Sequence, residues 1–259
     1  HFTGRVVLVS GAGGSIGSEL CRQVLASKPA RLVLFELSEL ALYTIEMELR
    51  DIAQETGTEL AAVLGSVTDA RLVRKVLGEH KVTVVLHAAA YKHVPMVEAN
   101  PLAGLANNVL GTSTLARAAR AAGVDRFILV SSDKAVRPTN VMGASKRLAE
   151  LVVQDLAERS AGTIFAMVRF GNVLGSSGSV IPLFQDQIAR GGPVTVTHRD
   201  VTRYFMTQQE AVRLVLRAST FARGGEVFVL DMGVPVRIHT LARHVIEASG
   251  YTVRDAANP

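Results

Sequence analysis

Two short segments hold the residue types best suited to chemistry. Ser10–Gly17 reads SGAGGSIG, with Gly11, Gly14 and Gly17 at three-residue spacing and Gly13 between them. Glycines so spaced permit a tight turn and let backbone N–H groups approach a pyrophosphate, whose charge the N-terminus of a following helix stabilises. Ser10, Gly11, Gly14, Ser15, Ile16 and Gly17 are therefore the predicted phosphate cradle. Glu36 follows about twenty residues later, where a dinucleotide fold places its ribose-binding acid. A carboxylate there repels a 2′-phosphate, so NAD is expected rather than NADP. The second segment is Ser132–Asp133–Lys134, an adjacent acid and base just past an apolar run. Such a pair can move protons if its pKa values are tuned, and is otherwise a solvated ion pair.

These side chains need strand ends brought side by side. Arg5–Ser10 (RVVLVS) and Arg31–Glu36 (RLVLFE) are continuous apolar runs of the buried-strand kind. Leu60–Leu64, Val82–His87 and Arg126–Ser131 are further strands. Ile16, Leu20 and Val24 recur at helical spacing, and Leu42, Ile45, Leu49 and Ile52 mark one face of a second helix. Asn100–Pro101 joins a good N-cap to a residue suited to the first helical position, and opens a long helix before Arg126. The alternation implies βαβ crossovers: an α/β fold, a doubly wound parallel Rossmann sheet over residues 1–175.

The texture changes after Gly171. Gly171–Ser179 (GNVLGSSGS) is a predicted loop. Helices are expected near Val180–Ala189 and Thr207–Ser219, the second opened by a Thr207/Glu210 capping box. Short strands are expected at Val194–Thr197, Val227–Leu230 and Val236–Ile238. Residues 176–259 should form a small lobe, partly interleaved with the sheet and shortened at its C-terminal end.

Composition narrows the function classes. With 259 residues and 48% hydrophobic content, a full core is available and generic disorder is excluded. No stretch reaches the roughly 18 apolar residues of a membrane helix. The single cysteine, Cys21, excludes a disulfide framework and a cysteine-built zinc site, and no metal is expected. The net charge of +5 raises a nucleic-acid role, but the basic residues are scattered, aromatics are 5% and Trp is absent, so no nucleic-acid partner is expected. The start at His1 without a signal h-region suggests a piece of a longer protein.

The motifs together resemble a known family. SGAGGSIG is similar to the TGxxGxxG fingerprint of extended short-chain dehydrogenase/reductases. His87–Ala90 (HAAA), Asn108–Thr112 (NVLGT) and Arg169–Val173 (RFGNV) look like further signatures of that type. Tyr91–Glu98 (YKHVPMVE), Ser131–Gly143 (SSDKAVRPTNVMG), Phe170–Phe184 and Thr202–Thr207 (TRYFMT) resemble bacterial polysaccharide-biosynthesis nucleotide-sugar 4,6-dehydratases. The likeness is greatest to long, membrane-associated members acting on UDP-N-acetylglucosamine. It implies a fold with a C-terminal substrate lobe, a homo-oligomer joined through helices at 100–122 and 142–160, and a place at the cytoplasmic side of the inner membrane.

The resemblance also assigns roles. The family's reaction passes hydride from C4 of the sugar to NAD, loses water across C5 and C6, and returns hydride to C6, so the cofactor ends as it began. Asp133 is the expected acid at the C6 hydroxyl and Lys134 the base at C5, with burial raising one pKa and lowering the other. Ser132 bonds the C4 oxygen, whose proton goes to Lys134 or a water relay. The superfamily's Tyr-x-x-x-Lys sets both side chains on one helix face, but here Met142 stands four residues before Lys146. A thioether cannot exchange a proton. Lys146 is expected at the nicotinamide ribose, with Ala88, Ala89 and Ala90 beside the cofactor. Ser66 and Val67 lie at the adenine end, Ser66 standing where an aspartate is usual. Lys92, His93, Asn172, Ser179 and Arg203 are the expected substrate contacts, Arg203 for the diphosphate. Two rivals are a UDP-sugar 4-epimerase, which needs the missing tyrosine, and a non-catalytic NAD/UDP-sugar-binding regulatory protein.

Overall fold

The computed structural model describes residues 1–176 and 178–254; Ser177, within the predicted 171–179 loop, and the final residues 255–259 lie outside the described residues. In chain order the elements are β1 (Val6–Ser10), α1 (Ser15–Leu25), β2 (Arg31–Glu36), α2 (Glu39–Thr56), β3 (Glu59–Leu64), α3 (Ala70–Glu79), β4 (Val84–His87), α4 (Val94–Ala99) and α5 (Pro101–Leu105). A π-helical turn at Ala106–Leu110 leads into α6 (Gly111–Ala121) and β5 (Arg126–Val130). After a 3₁₀ turn at Asp133–Ala135 come α7 (Val141–Glu158), β6 (Ile164–Arg169), β7 (Asn172–Val173), α8 (Val180–Ala189), β8 (Thr202–Arg203) and β9 (Phe205–Met206). The chain closes with α9 (Gln208–Phe221), β10 (Val227–Val229), β11 (Val236–Arg237) and α10 (Ile238–Ala248).

Seven strands form one sheet in the order β3-β2-β1-β4-β5-β6-β10, every pairing parallel. This is the expected doubly wound sheet, and its order reverses between β1 and β4, the switch point where such folds bind ligands. The central strands are apolar on both faces because helices cover both: Val7, Val9, Leu32, Leu34, Val85 and Leu86 are fully buried. Phe127 and Phe165 pack ring to ring at 5.4 Å in the core between the sheet and α6–α7.

The chain divides into two compact units. The first comprises His1–Phe170 and Val212–Leu230 and holds the whole seven-stranded sheet; the second comprises Gly171–Ala211 and Asp231–Pro259. Within the second, β7 pairs with β9 and β8 with β11, and Phe184, Ile238 and Ala242 form its small core. Among the described residues no helix is long and apolar enough to cross a membrane.

Several local expectations are corrected. Asn100 and Pro101 take the expected N-cap and first-turn positions, but the Asn100 side chain makes no capping bond, its amide donating to the Met96 carbonyl, and the long helix is interrupted by the π-turn. Ile52 is exposed; the four-residue step from Leu49 brings Ala53 onto the buried stripe instead. No strand forms at 194–197, because Gln187 claims both the Thr195 N–H and hydroxyl. Part of the 171–179 loop is the short strand β7. The Thr207 hydroxyl does accept the Glu210 N–H, half of the predicted capping box.

Candidate active site

The glycine loop lies at the switch point. Gly11 has φ +69, and a Cβ there would stand 2.7 Å from the Ala89 nitrogen, so the end of β1 and the segment after β4 touch through it. A Cβ on Gly17 would lie 1.8 Å from the Gly11 carbonyl oxygen, so only glycine lets α1 start against the turn. Glu36 closes β2 with its carboxylate folded over the loop: Oε2 accepts the Gly13 N–H at 3.0 Å, and Oε1 accepts the N–H groups of Leu37 and Ser38. A crevice of about 240 Å³ opens here, lined by Gly11, Gly14, Glu36, Ser66, Val67 and Ala88–Ala90 among others.

Most of the predicted cofactor residues thus meet at one place. Ser10 is buried behind the loop, and Ser15, Ile16 and Gly17 form the first turn of α1. The Ser66 hydroxyl shares a proton with Thr68 Oγ1 at 2.7 Å and accepts the Thr68 N–H. Gly13, Leu37, Ala41, Tyr91 and Asn107 also line the crevice and were not foreseen. Gly13, among the motif's glycines, and Tyr91, at the head of YKHVPMVE, carried a sequence signal; a Cβ on Gly13 would meet Ala41 at 2.5 Å. The walls suit a dinucleotide, with glycine wherever a side chain would fill the cradle and an acid at the strand end.

The second group of residues surrounds the carboxyl end of β5. Ser132 caps the 3₁₀ turn, its hydroxyl accepting the Lys134 N–H and donating to Asp133 Oδ1 at 3.0 Å. Lys134 Nζ donates to the same oxygen at 3.2 Å. The Asp133 N–H bonds the Phe170 carbonyl, anchoring the turn to the chain just past β6. The burial expected for this pair is not supplied by the protein: the Asp133 and Lys134 side chains are 42% and 32% exposed. Lys92 and His93 are exposed beyond β4.

Met142 and Lys146 lie on one face of α7, as their spacing required, and both are buried. Lys146 Nζ donates to the Val130 carbonyl at 2.7 Å. Burial pushes its ammonium down to about 8, against a smaller upward pull from Glu150. Glu150, one turn further along α7, is fully buried and went unforeseen. Its carboxylate accepts Ser131 Oγ at 2.6 Å, Arg169 Nε at 2.7 Å and Nη2 at 2.5 Å, and Arg147 at 3.0 Å. Burial drives its pKa up, but these bonds outweigh it and the net shift is downward. A carboxylate four residues past Lys146 on an otherwise apolar stripe was the available signal.

Asn172, Ser179 and Arg203 all fall in the second unit. Asn172 on β7 donates to the Tyr204 carbonyl, Ser179 precedes α8 at its N-cap, and Arg203 on β8 is exposed and donates to the Thr202 carbonyl.

Known proteins give this geometry a context. The chain is 51% identical over 255 residues to the capsular polysaccharide biosynthesis protein CapD of Staphylococcus aureus, covering 98% of this chain and 42% of CapD. It thus spans less than half the length of that relative. Among solved structures it is similar to Pen from Bacillus thuringiensis, with TM-score 0.89 and 34% identity over 95% of this chain and 75% of Pen. It is also similar to the dTDP-glucose 4,6-dehydratase DesIV from Streptomyces venezuelae, solved with NAD bound, with TM-score 0.82 and 25% identity over 95% of this chain and 81% of DesIV. The fold is that of the extended short-chain dehydrogenase/reductases. A family model described as polysaccharide biosynthesis protein matches residues 7–259, and by that match over nearly its whole length the chain belongs to this family.

Proposed function

We propose that this chain is the catalytic part of an NAD-dependent nucleotide-sugar 4,6-dehydratase, a hydro-lyase converting UDP-N-acetylglucosamine to a UDP-4-keto-6-deoxy-hexosamine for cell-surface polysaccharide. The observation that carries the reading is the Asp133–Lys134 pair at the carboxyl end of β5, beside a buried methionine where an epimerase needs a tyrosine. The likeness to a 4,6-dehydratase solved with NAD supports both reaction and cofactor.

Gly11, Gly14 and the first turn of α1 would hold the pyrophosphate, Glu36 the adenosine ribose and Lys146 the nicotinamide ribose. Bound there, NAD supplies a hydride acceptor at C4 and a donor at C6. The proton of the C4 hydroxyl would leave through a water relay as C4 becomes a ketone; Lys134 would take the C5 proton and give it back to C5 once hydride is on C6, and Asp133 would give a proton to the C6 hydroxyl as the C6–O bond breaks and water leaves. Ser132 steadies Asp133 and offers its hydroxyl to the C4 oxygen. Asn172, Ser179 and Arg203 keep their expected part as contacts of the UDP group, and Lys92 and His93 as contacts of the sugar. Attachment to the cytoplasmic face of a membrane, on this reading, runs through sequence outside these 259 residues.

Product analysis tests the proposal. Incubation with UDP-N-acetylglucosamine and NAD should yield a 4-keto-6-deoxy sugar lighter by one water. An isomer of unchanged mass means epimerisation, and binding of both ligands without turnover means the regulatory alternative.

Two further outcomes follow. NADP should bind more weakly than NAD by tenfold or more, on the order expected for a 2′-phosphate placed against the Glu36 carboxylate; calorimetric titration showing tighter NADP binding overturns the assignment. Leu102 and Leu110 on the α5–α6 stretch and Leu148 and Leu151 on α7 are exposed, Leu102 by 81%. We read these exposed apolar side chains as part of a contact between copies of the chain. Sedimentation should show a homodimer or larger homo-oligomer, and a monomer at micromolar concentration refutes this contact.

A further inference from the structure

Behind the crevice runs a chain of buried polar groups that the proposed reaction does not use. Ser10 Oγ and His87 Nδ1 are 2.6 Å apart, and His87 Nε2 and Thr112 Oγ1 are 2.8 Å apart. Thr112 Oγ1 donates to the Asn108 carbonyl at 2.7 Å. Ser10, His87, Thr112 and Asn108 are all buried. Ser10 and His87 are register partners at the ends of β1 and β4, one residue before Gly11 and Ala88 respectively.

The bond from Thr112 to the Asn108 carbonyl points to one arrangement of the protons in this chain. The Thr112 proton is committed to the Asn108 carbonyl, so Thr112 Oγ1 accepts from His87 Nε2–H. His87 Nδ1 then carries no proton and accepts the Ser10 hydroxyl. Burial, with the nearby Lys146 charge, keeps the ring neutral, its pKa pushed down to about 3.

The far end of the chain is the π-turn, where Gly111 N–H bonds the Ala106 carbonyl. Such turns recur at functional sites. From it the Asn108 side chain grips Tyr91 twice, accepting its N–H at 2.8 Å and donating to its carbonyl at 2.9 Å. The same amide donates to Ser145 Oγ at 2.9 Å, which donates to the Met142 carbonyl at 2.7 Å. One hydrogen-bonded line therefore joins the glycine loop to the Tyr91 wall of the crevice and to the turn of α7 that bears Met142.

We infer that His87 is a positioning residue that sets the spacing between the phosphate loop and the opposite crevice wall, by locking Ser10 to the π-turn at Asn108. The inference rests on the dinucleotide reading of the crevice. Thr112→Val keeps shape but removes the hydroxyl, leaving His87 Nε2–H without an acceptor and ending the side-chain bond to the Asn108 carbonyl; the two walls then lose their tie. NAD affinity by calorimetry should fall at least about tenfold, while Thr112→Ser stays within about twofold of the parent chain. If Thr112→Val does not fold, Ser10→Ala breaks the other end of the line and should weaken NAD to a similar degree. Nitrogen-15 NMR of the unliganded chain should show a neutral His87 with its proton on Nε2. A proton on Nδ1 overturns the inference, as does unchanged NAD affinity in whichever of the two variants folds. Should the parent chain not bind NAD at all, the dinucleotide reading fails, and the tautomer still decides whether the line exists as described.

Discussion

Replacing Lys134 by alanine should lower turnover of UDP-N-acetylglucosamine by about 10³-fold, within the 10²–10⁴ range that a positioned acid or base contributes, and leave NAD affinity nearly unchanged. Lys134 sits on the 3₁₀ turn after β5, 3.2 Å from Asp133 Oδ1, and does not line the glycine crevice. Its removal therefore separates chemistry from cofactor binding. Asp133→Asn should fall by a similar factor, because the amide keeps the contacts to Ser132 and Lys134 yet cannot give a proton to the leaving hydroxyl. Steady-state rates paired with NAD titration check both variants. Near-normal turnover in Lys134→Ala removes it from the proton path and with it the main support for dehydration.

The largest effect on stability should come from Glu150→Leu. The carboxylate is fully buried and answers three partners, with Arg169 bidentate and only 15% exposed. Removing the acid leaves a guanidinium held in the interior without its counter-charge, a change worth about 3–5 kcal/mol. For a chain of this size that is on the order of a 10 °C drop in melting temperature, readable by calorimetry. The double variant Glu150→Leu/Arg169→Met should recover most of the loss, since two apolar side chains can replace a buried pair at little net cost. If the double variant is as unstable as the single one, the penalty is lost packing rather than an orphaned charge. Turnover should fall in both, because Ser131, next to Ser132 and Asp133, loses the acceptor of its hydroxyl.

The sheet was legible because its strands are long apolar runs separated by helix-period segments, and a parallel sheet covered on both faces tolerates no other pattern. The glycine loop and Glu36 were legible because backbone approach to a phosphate leaves a spacing in the chain itself. Side-chain partners were not. The helical spacing hints that Glu150 faces inward, but it does not name Arg169 as the partner, which follows by nineteen positions and comes from another element. The π-turn was invisible for a similar reason: an α-helix and a one-residue bulge in it share the same apolar spacing over so short a stretch. Gln187 overrode the strand propensity of Val194–Thr197 by offering Thr195 a better partner than another strand.

The interleaving of the two units bears on how the chain is made. β6 (Ile164–Arg169) gains its outer neighbour, β10, only after roughly 60 further residues have left the ribosome, which at 5–20 residues per second takes about 3–12 s. During that interval the apolar strand IFAMVR is an open edge at the rim of an otherwise complete six-stranded sheet. An uncovered edge of this kind pairs readily with another nascent chain. The pace of translation through residues 170–227 therefore sets how long that edge of the newborn protein stays open to aggregation.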